Sequence, residues 1–156
     1  TTLFRSNAQN IAARKLDRVR QGFRATDLIG CVYGIAAGVI LFTVGKYFAY
    51  LFISDNADVV LPMVETYLRC VGLFMIPLYV VNCYRNGFQG MGYGMLPMLS
   101  GVAELLGRGV MAVVAAKKKS YILACMASPI AWVVATILLI MLYFYVMKDM
   151  KKKLCL

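Results

Sequence analysis

No charged residue occurs between Tyr121 and Met147. A run of that length fits one fold element above all others. A helix rises about 1.5 Å per residue, so about 20 apolar residues cross a hydrocarbon core of about 30 Å. Three further runs are comparable. They are Leu28 to Ile53, interrupted only by Lys46, then Pro62 to Cys83, then Gly94 to Ala116. Lipid offers the backbone no hydrogen-bond partner, so such runs must close their own hydrogen bonds as helices. The hydrophobic fraction is 62%. A soluble domain of 156 residues cannot bury that much apolar surface. The sequence therefore predicts an all-α membrane protein with four transmembrane helices, over 28–53, 62–83, 94–116 and 121–147.

The net charge of +10 follows the membrane pattern and does not point to nucleic acid. Arg5, Arg14, Lys15, Arg18, Arg20 and Arg24 precede the first run, against Asp17. Asp55, Asp58 and Glu65 follow it, with no Lys or Arg among them. Excess positive charge marks the cytoplasmic side, so both ends of the chain are expected inside a cell membrane. The C-terminal Lys148, Lys151, Lys152 and Lys153 agree with this. Lys117, Lys118 and Lys119 disagree, since they fall on the predicted outer side. Residues 1–26 are expected to form a cytoplasmic amphipathic connection, because Leu16, Val19 and Phe23 recur at helical spacing. Residues 27–156 form the transmembrane region. The chain starts without Met and in mid-sequence, as a fragment of a longer protein would.

Several positions carry specific expectations. Gly30, Gly34 and Gly38 form a smooth stripe on which another helix can pack closely. Asp58 is a candidate N-cap for the second span. Glu65 and Arg69 stand four apart near its outer end, in the favourable order for an ion pair. Pro77, Pro97 and Pro129 are expected to kink or interrupt their helices. The segment from Tyr84 to Tyr93, with Gln89, Gly90 and Gly92, is read as a cytoplasmic turn.

Glu104 and Arg108 are the two charges inside the third run. A charge at bilayer depth costs several kcal/mol unless it is paired or faces water. Four residues apart, the two share a helix face with Pro97 and Gly101. A carboxylate beside an arginine is favoured in its charged form, which opposes easy protonation. A structural pair is therefore expected, in preference to an ion-coupling site. There is no His, and none of the five Cys forms a Cys-x-x-Cys pair, so no metal site, cofactor or enzymatic activity is expected.

Taken together, several motifs resemble one family. They are Gln9-Asn10-Ile11-Ala12-Ala13, Asp17-Arg18-Val19-Arg20-Gln21-Gly22, Tyr67-Leu68-Arg69 and Phe88-Gln89-Gly90-Met91-Gly92-Tyr93. Pro97 with Glu104 and Arg108, and Ser128-Pro129-Ile130-Ala131-Trp132, complete the set. The chain is similar to the multidrug and toxic compound extrusion (MATE) transporters in their bacterial form. The resemblance implies a twelve-helix transporter of two lobes, of which this chain is the last third and the N-terminal lobe is missing. It implies a secondary active antiporter, exporting drugs or cationic organic compounds in exchange for sodium ions or protons by alternating access. The implied partners are the lipid bilayer, the missing lobe, the coupling ion and a small organic substrate. Ala12 stands where the family usually has glycine, and the second span lacks the mid-helix carboxylate that some branches use for coupling. Two alternatives are a lipid-linked oligosaccharide flippase of related architecture, kept open by Arg69 and Arg108, and a small membrane protein regulating a partner through the Gly30 to Gly38 face.

Overall fold

The computed structural model describes residues 2–51 and 57–153. Among the described residues there are eight helices and no strand. They run α1 (Thr2–Ala12), α2 (Leu16–Thr43), α3 (Gly45–Tyr50), α4 (Ala57–Leu73), α5 (Met75–Gly90), α6 (Met95–Lys118), α7 (Tyr121–Cys125) and α8 (Ala127–Lys153). The protein is an all-α membrane protein. Helices α2, α6 and α8 hold 28, 24 and 27 residues, enough at about 1.5 Å each to cross a bilayer. Helices α4 and α5 make a fourth span if the bent pair counts as one.

The observed boundaries differ from the expected ones, for local reasons. The first run does not stay one helix to Ile53. It breaks at Val44, and α3 ends at Tyr50. Its last residues, 52 and 53, lie outside the described residues. Asp58 sits within the first turn of α4 and is not its N-cap. There the carboxylate still complements the positive end of the helix dipole. Residues 2–26 fall in two elements. After α1 the chain turns at Arg14, whose φ of 55° is left-handed, and α2 then runs from Leu16 straight into the first apolar run.

The largest difference concerns Tyr84 to Tyr93, which is mostly helix. The second span continues as α5 to Gly90, and only Met91 to Gly94 turns the chain. A Cβ at Gly87 would lie 2.3 Å from the Phe23 ring, so this glycine admits α2 and does not make a loop. Gly92, with φ 85°, does serve the turn.

Two of the three helix breaks stand in the same register to a proline. The α4–α5 break falls at Phe74, three residues before Pro77, and the two helices are bent by 52°. The α7–α8 break falls at Met126, three residues before Pro129. Proline lacks the N–H that would bond the carbonyl four residues back, and its ring crowds that carbonyl. Leu73 and Cys125 are the residues so affected, and each ends its helix. Pro97 lies in the first turn of α6, where its missing N–H costs nothing, and α6 is not broken there.

The apolar core gathers at the α1 end of the bundle. Leu3, Leu16, Val19 and Phe23 pack there against Val81, Phe88, Leu139 and Val146. Toward the other end, the glycine stripe of α2 meets the bent pair. A Cβ at Gly30 would strike the Tyr79 ring at 1.9 Å, one at Gly34 would meet Ile76 at 2.9 Å, and one at Gly38 the Gly72 carbonyl at 2.7 Å. The outward residues, such as Ile29, Val32, Leu105 and Phe144, are large, apolar and exposed. They are suited to lipid.

Candidate functional site

Glu104 lies on α6 between two arginines. Arg108, one turn later on the same helix, donates from Nη2 to Glu104 Oε1. Arg85 reaches across from α5 and donates from Nη2 to Glu104 Oε2 at 2.7 Å. Arg85 Nε also donates to the Ser100 hydroxyl at 2.7 Å. That hydroxyl donates onward to the Pro97 carbonyl at 2.8 Å. Ser100 is fully buried, and the Glu104 side chain is 14% exposed. Two guanidinium groups on one carboxylate make charge-assisted hydrogen bonds. The cluster offsets the cost of burying the carboxylate and fastens α5 to α6.

Arg85 was invisible to a reading that ended the second span at Cys83. Gly101, one turn before Glu104 on the same helix, is not packed against a neighbour: a Cβ there would meet nothing within 4 Å. The face that meets protein runs instead through Pro97, Ser100 and Gly107, and a Cβ at Gly107 would lie 3.3 Å from Ala131.

A second carboxylate packed within the helix bundle was also missed. Asp27 on α2 accepts a hydrogen bond at Oδ2 from the Tyr84 hydroxyl at 3.1 Å. Its Oδ1 is buried and has no hydrogen-bond partner. Asp27 faces a cleft of about 340 Å³ lined also by Arg20, Phe23, Arg24, Tyr84 and Tyr143. The signal was present in the spacing. Leu16, Val19, Phe23, Gly30, Gly34 and Gly38 are the buried positions of α2, at steps of three, four, seven, four and four. Asp27 divides the seven into four and three, which places it on the buried seam.

The MatE family model matches residues 6–114, from α1 to α6. The chain belongs to the MatE family. Comparison with the curated proteins and with the solved structures gives no match. MatE proteins are transporters, and the apolar helices make this one a multi-pass membrane protein.

The MatE segment contains Asp27, Arg85, Glu104 and Arg108, with most of the other expected positions. Arg69 Nη2 lies 2.5 Å from Glu65 Oε1, and Lys46 Nζ lies 3.9 Å from Glu65 Oε2, at the end opposite α1. Gln89 and Gly90 occupy the last turn of α5, with Gln89 exposed and Gly90 buried. Tyr93, just after Gly92, donates its hydroxyl to Asp149 Oδ2 at 2.8 Å, and Lys153 Nζ lies 2.8 Å from the same oxygen. Burial first, and this hydrogen bond second, push the Tyr93 phenol above its ordinary pKa, so it stays a donor. Pro129 lies beyond the MatE match, on α8. The Gly30 to Gly38 face is occupied within the chain, which removes the surface through which a small regulatory protein would have bound a partner.

Proposed function

We propose that this MatE protein is the C-terminal part of a secondary active antiporter that exports drugs or cationic organic compounds in exchange for sodium ions or protons. The MatE match carries the reading. Ionisable groups held inside apolar helices are in keeping with it, because such groups are costly and mark ion or substrate paths. The two proline breaks suit alternating access, which needs spans that bend at defined points. The α1 end is cytoplasmic in this reading, since Arg14, Lys15, Arg18, Arg20 and Arg24 gather there with Lys148 and Lys151 to Lys153. The Arg85, Glu104 and Arg108 cluster serves as a clasp within the C-terminal lobe. The coupling ion is handled partly by the N-terminal lobe.

Arg69 and Arg108 give no support to the flippase, since each is bound to a carboxylate. The test is efflux of a fluorescent organic cation, ethidium, from energised cells carrying the complete transporter. Collapse of either the sodium or the proton gradient should slow efflux to the level of cells lacking the gene. Efflux indifferent to both gradients would remove the antiporter reading.

A further inference from the structure

The Asp27 cleft has a charge pattern that no part of the transport reading uses. Arg20, Arg24 and Asp27 share one face of α2, at steps of four and three, and all three line the cleft. Yet among the described residues Asp27 forms no ion pair. Arg20 lies 3.9 Å from Asp17, which is 92% exposed. The guanidinium nitrogens of Arg20 and Arg24 thus stand more than 4.0 Å from the Asp27 carboxylate oxygens. Buried carboxylate oxygens are normally supplied with donors, and Asp27 Oδ1 has none.

The walls are aromatic. Phe23 and Tyr143 bring α2 and α8 together with ring centroids 5.0 Å apart, and Tyr84 on α5 closes the floor at 5.5 Å from Tyr143. Aromatic faces beside a carboxylate attract an ammonium group. Guanidinium groups at the mouth attract phosphate, which they can grip with two hydrogen bonds. A simple cation would meet the repulsion of two arginines, and a simple anion that of Asp27. A molecule carrying both charges satisfies every group. The volume is within the range of small-ligand sites.

We propose that this cleft binds a phosphate-bearing zwitterion, its ammonium at the Asp27 carboxylate and its phosphate on Arg20 and Arg24. The chemistry is that of phosphoethanolamine, either free or as the headgroup of a lipid. Asp27 directly precedes the first apolar run, at the level where headgroups begin. The proposal does not depend on what the protein transports.

The full chain, purified into nanodiscs of anionic lipid alone, is titrated calorimetrically with phosphoethanolamine, ethanolamine and inorganic phosphate. A parallel native mass measurement follows phosphatidylethanolamine retained from mixed-lipid nanodiscs. The zwitterion should bind about ten-fold more tightly than either half. Asp27→Asn should remove this preference while leaving phosphate binding unchanged. Arg24→Gln changes an exposed side chain and keeps the fold, and it should remove the preference while sparing ethanolamine. Binding of free phosphoethanolamine identifies a soluble ligand. Retention of the lipid alone, lost in both variants, identifies a headgroup. No preference for the zwitterion in either arm, or a preference that survives both substitutions, overturns the proposal and leaves a cleft filled by water.

Discussion

Arg85 Nη2 and Glu104 Oε2 are 2.7 Å apart and join two helices that the chain connects through a tight turn. Removing the carboxylate leaves two guanidinium groups facing each other at bilayer depth. Glu104→Gln should therefore lower folding stability by about 2 kcal/mol or more. Thermal unfolding in detergent, followed by Trp132 fluorescence, reads this. Exchanging Arg85 and Glu104 should recover part of the loss. Exchanging Glu104 and Arg108 should not, because the new arginine would face Arg85. If Glu104→Gln keeps its melting temperature but loses gradient-driven efflux, the clasp is really a coupling site.

Gly38 and Gly101 are predicted to respond oppositely to the same substitution. A Cβ at Gly38 would lie 2.7 Å from the Gly72 carbonyl oxygen, which is backbone and cannot swing aside. Gly38→Ala should cost about 1 to 3 kcal/mol. At Gly101 there is open space, and Gly101→Ala should be neutral or stabilise by up to about 1 kcal/mol. Parallel melting curves decide. Equal effects at the two positions would mean that α2 does not pack on the bent pair as described.

These two glycines also show what can be read from the letters alone. The existence and order of the helices follow from uninterrupted apolar runs. The stripe of α2 follows from steps of four. The ends of helices were harder to read, because polarity and helicity are different properties. Tyr84 to Gly90 is rich in polar residues and glycine, yet it stays helical because Phe88 and Gly87 are buried against α1 and α2. Tertiary packing overrides local preference there. Missing that extension meant missing Arg85. Asp27 was missed for the converse reason. It sits at the edge of an apolar run, where a carboxylate resembles the polar flank before it, although that face of the helix is already buried.

Pro77→Ala should straighten the α4–α5 pair. The substitution returns an N–H to bond Leu73 and removes the ring that crowds its carbonyl. Spin labels at the exposed Val59 and Asn86 report the change as a longer interhelical distance. A distance unaltered from the 52° geometry would show that the bend is held by neighbours such as Thr136, whose hydroxyl donates to the Pro77 carbonyl at 3.2 Å.

Tyr93→Phe should loosen the end of α8. Tyr93 holds Asp149 by its hydroxyl, and Lys153 completes the contact. Without that hydroxyl, amide hydrogen exchange over 147–153 should rise several-fold, a change of about 1 kcal/mol in local opening. The remainder of α8, packed along α5 and α6, should keep its protection. Unchanged exchange in the last two turns would show that Lys153 and Asp149 suffice.

The shared register of the two breaks has a mechanical result. Helices α4 and α7 lie beyond Phe74 and Met126 at the same end of the bundle, and they pack on each other. The Tyr121 hydroxyl donates to the Met63 carbonyl at 2.9 Å, which ties them directly. Helix α3 leans on α4 and is tied to it by Lys46 and Glu65. Helices α3, α4 and α7 thus form one connected group, with breaks at Phe74 and Met126 joining α4 and α7 to the rest of the bundle. A break that turns alone must tear the Tyr121 contact, whereas two that turn together need break nothing between α4 and α7.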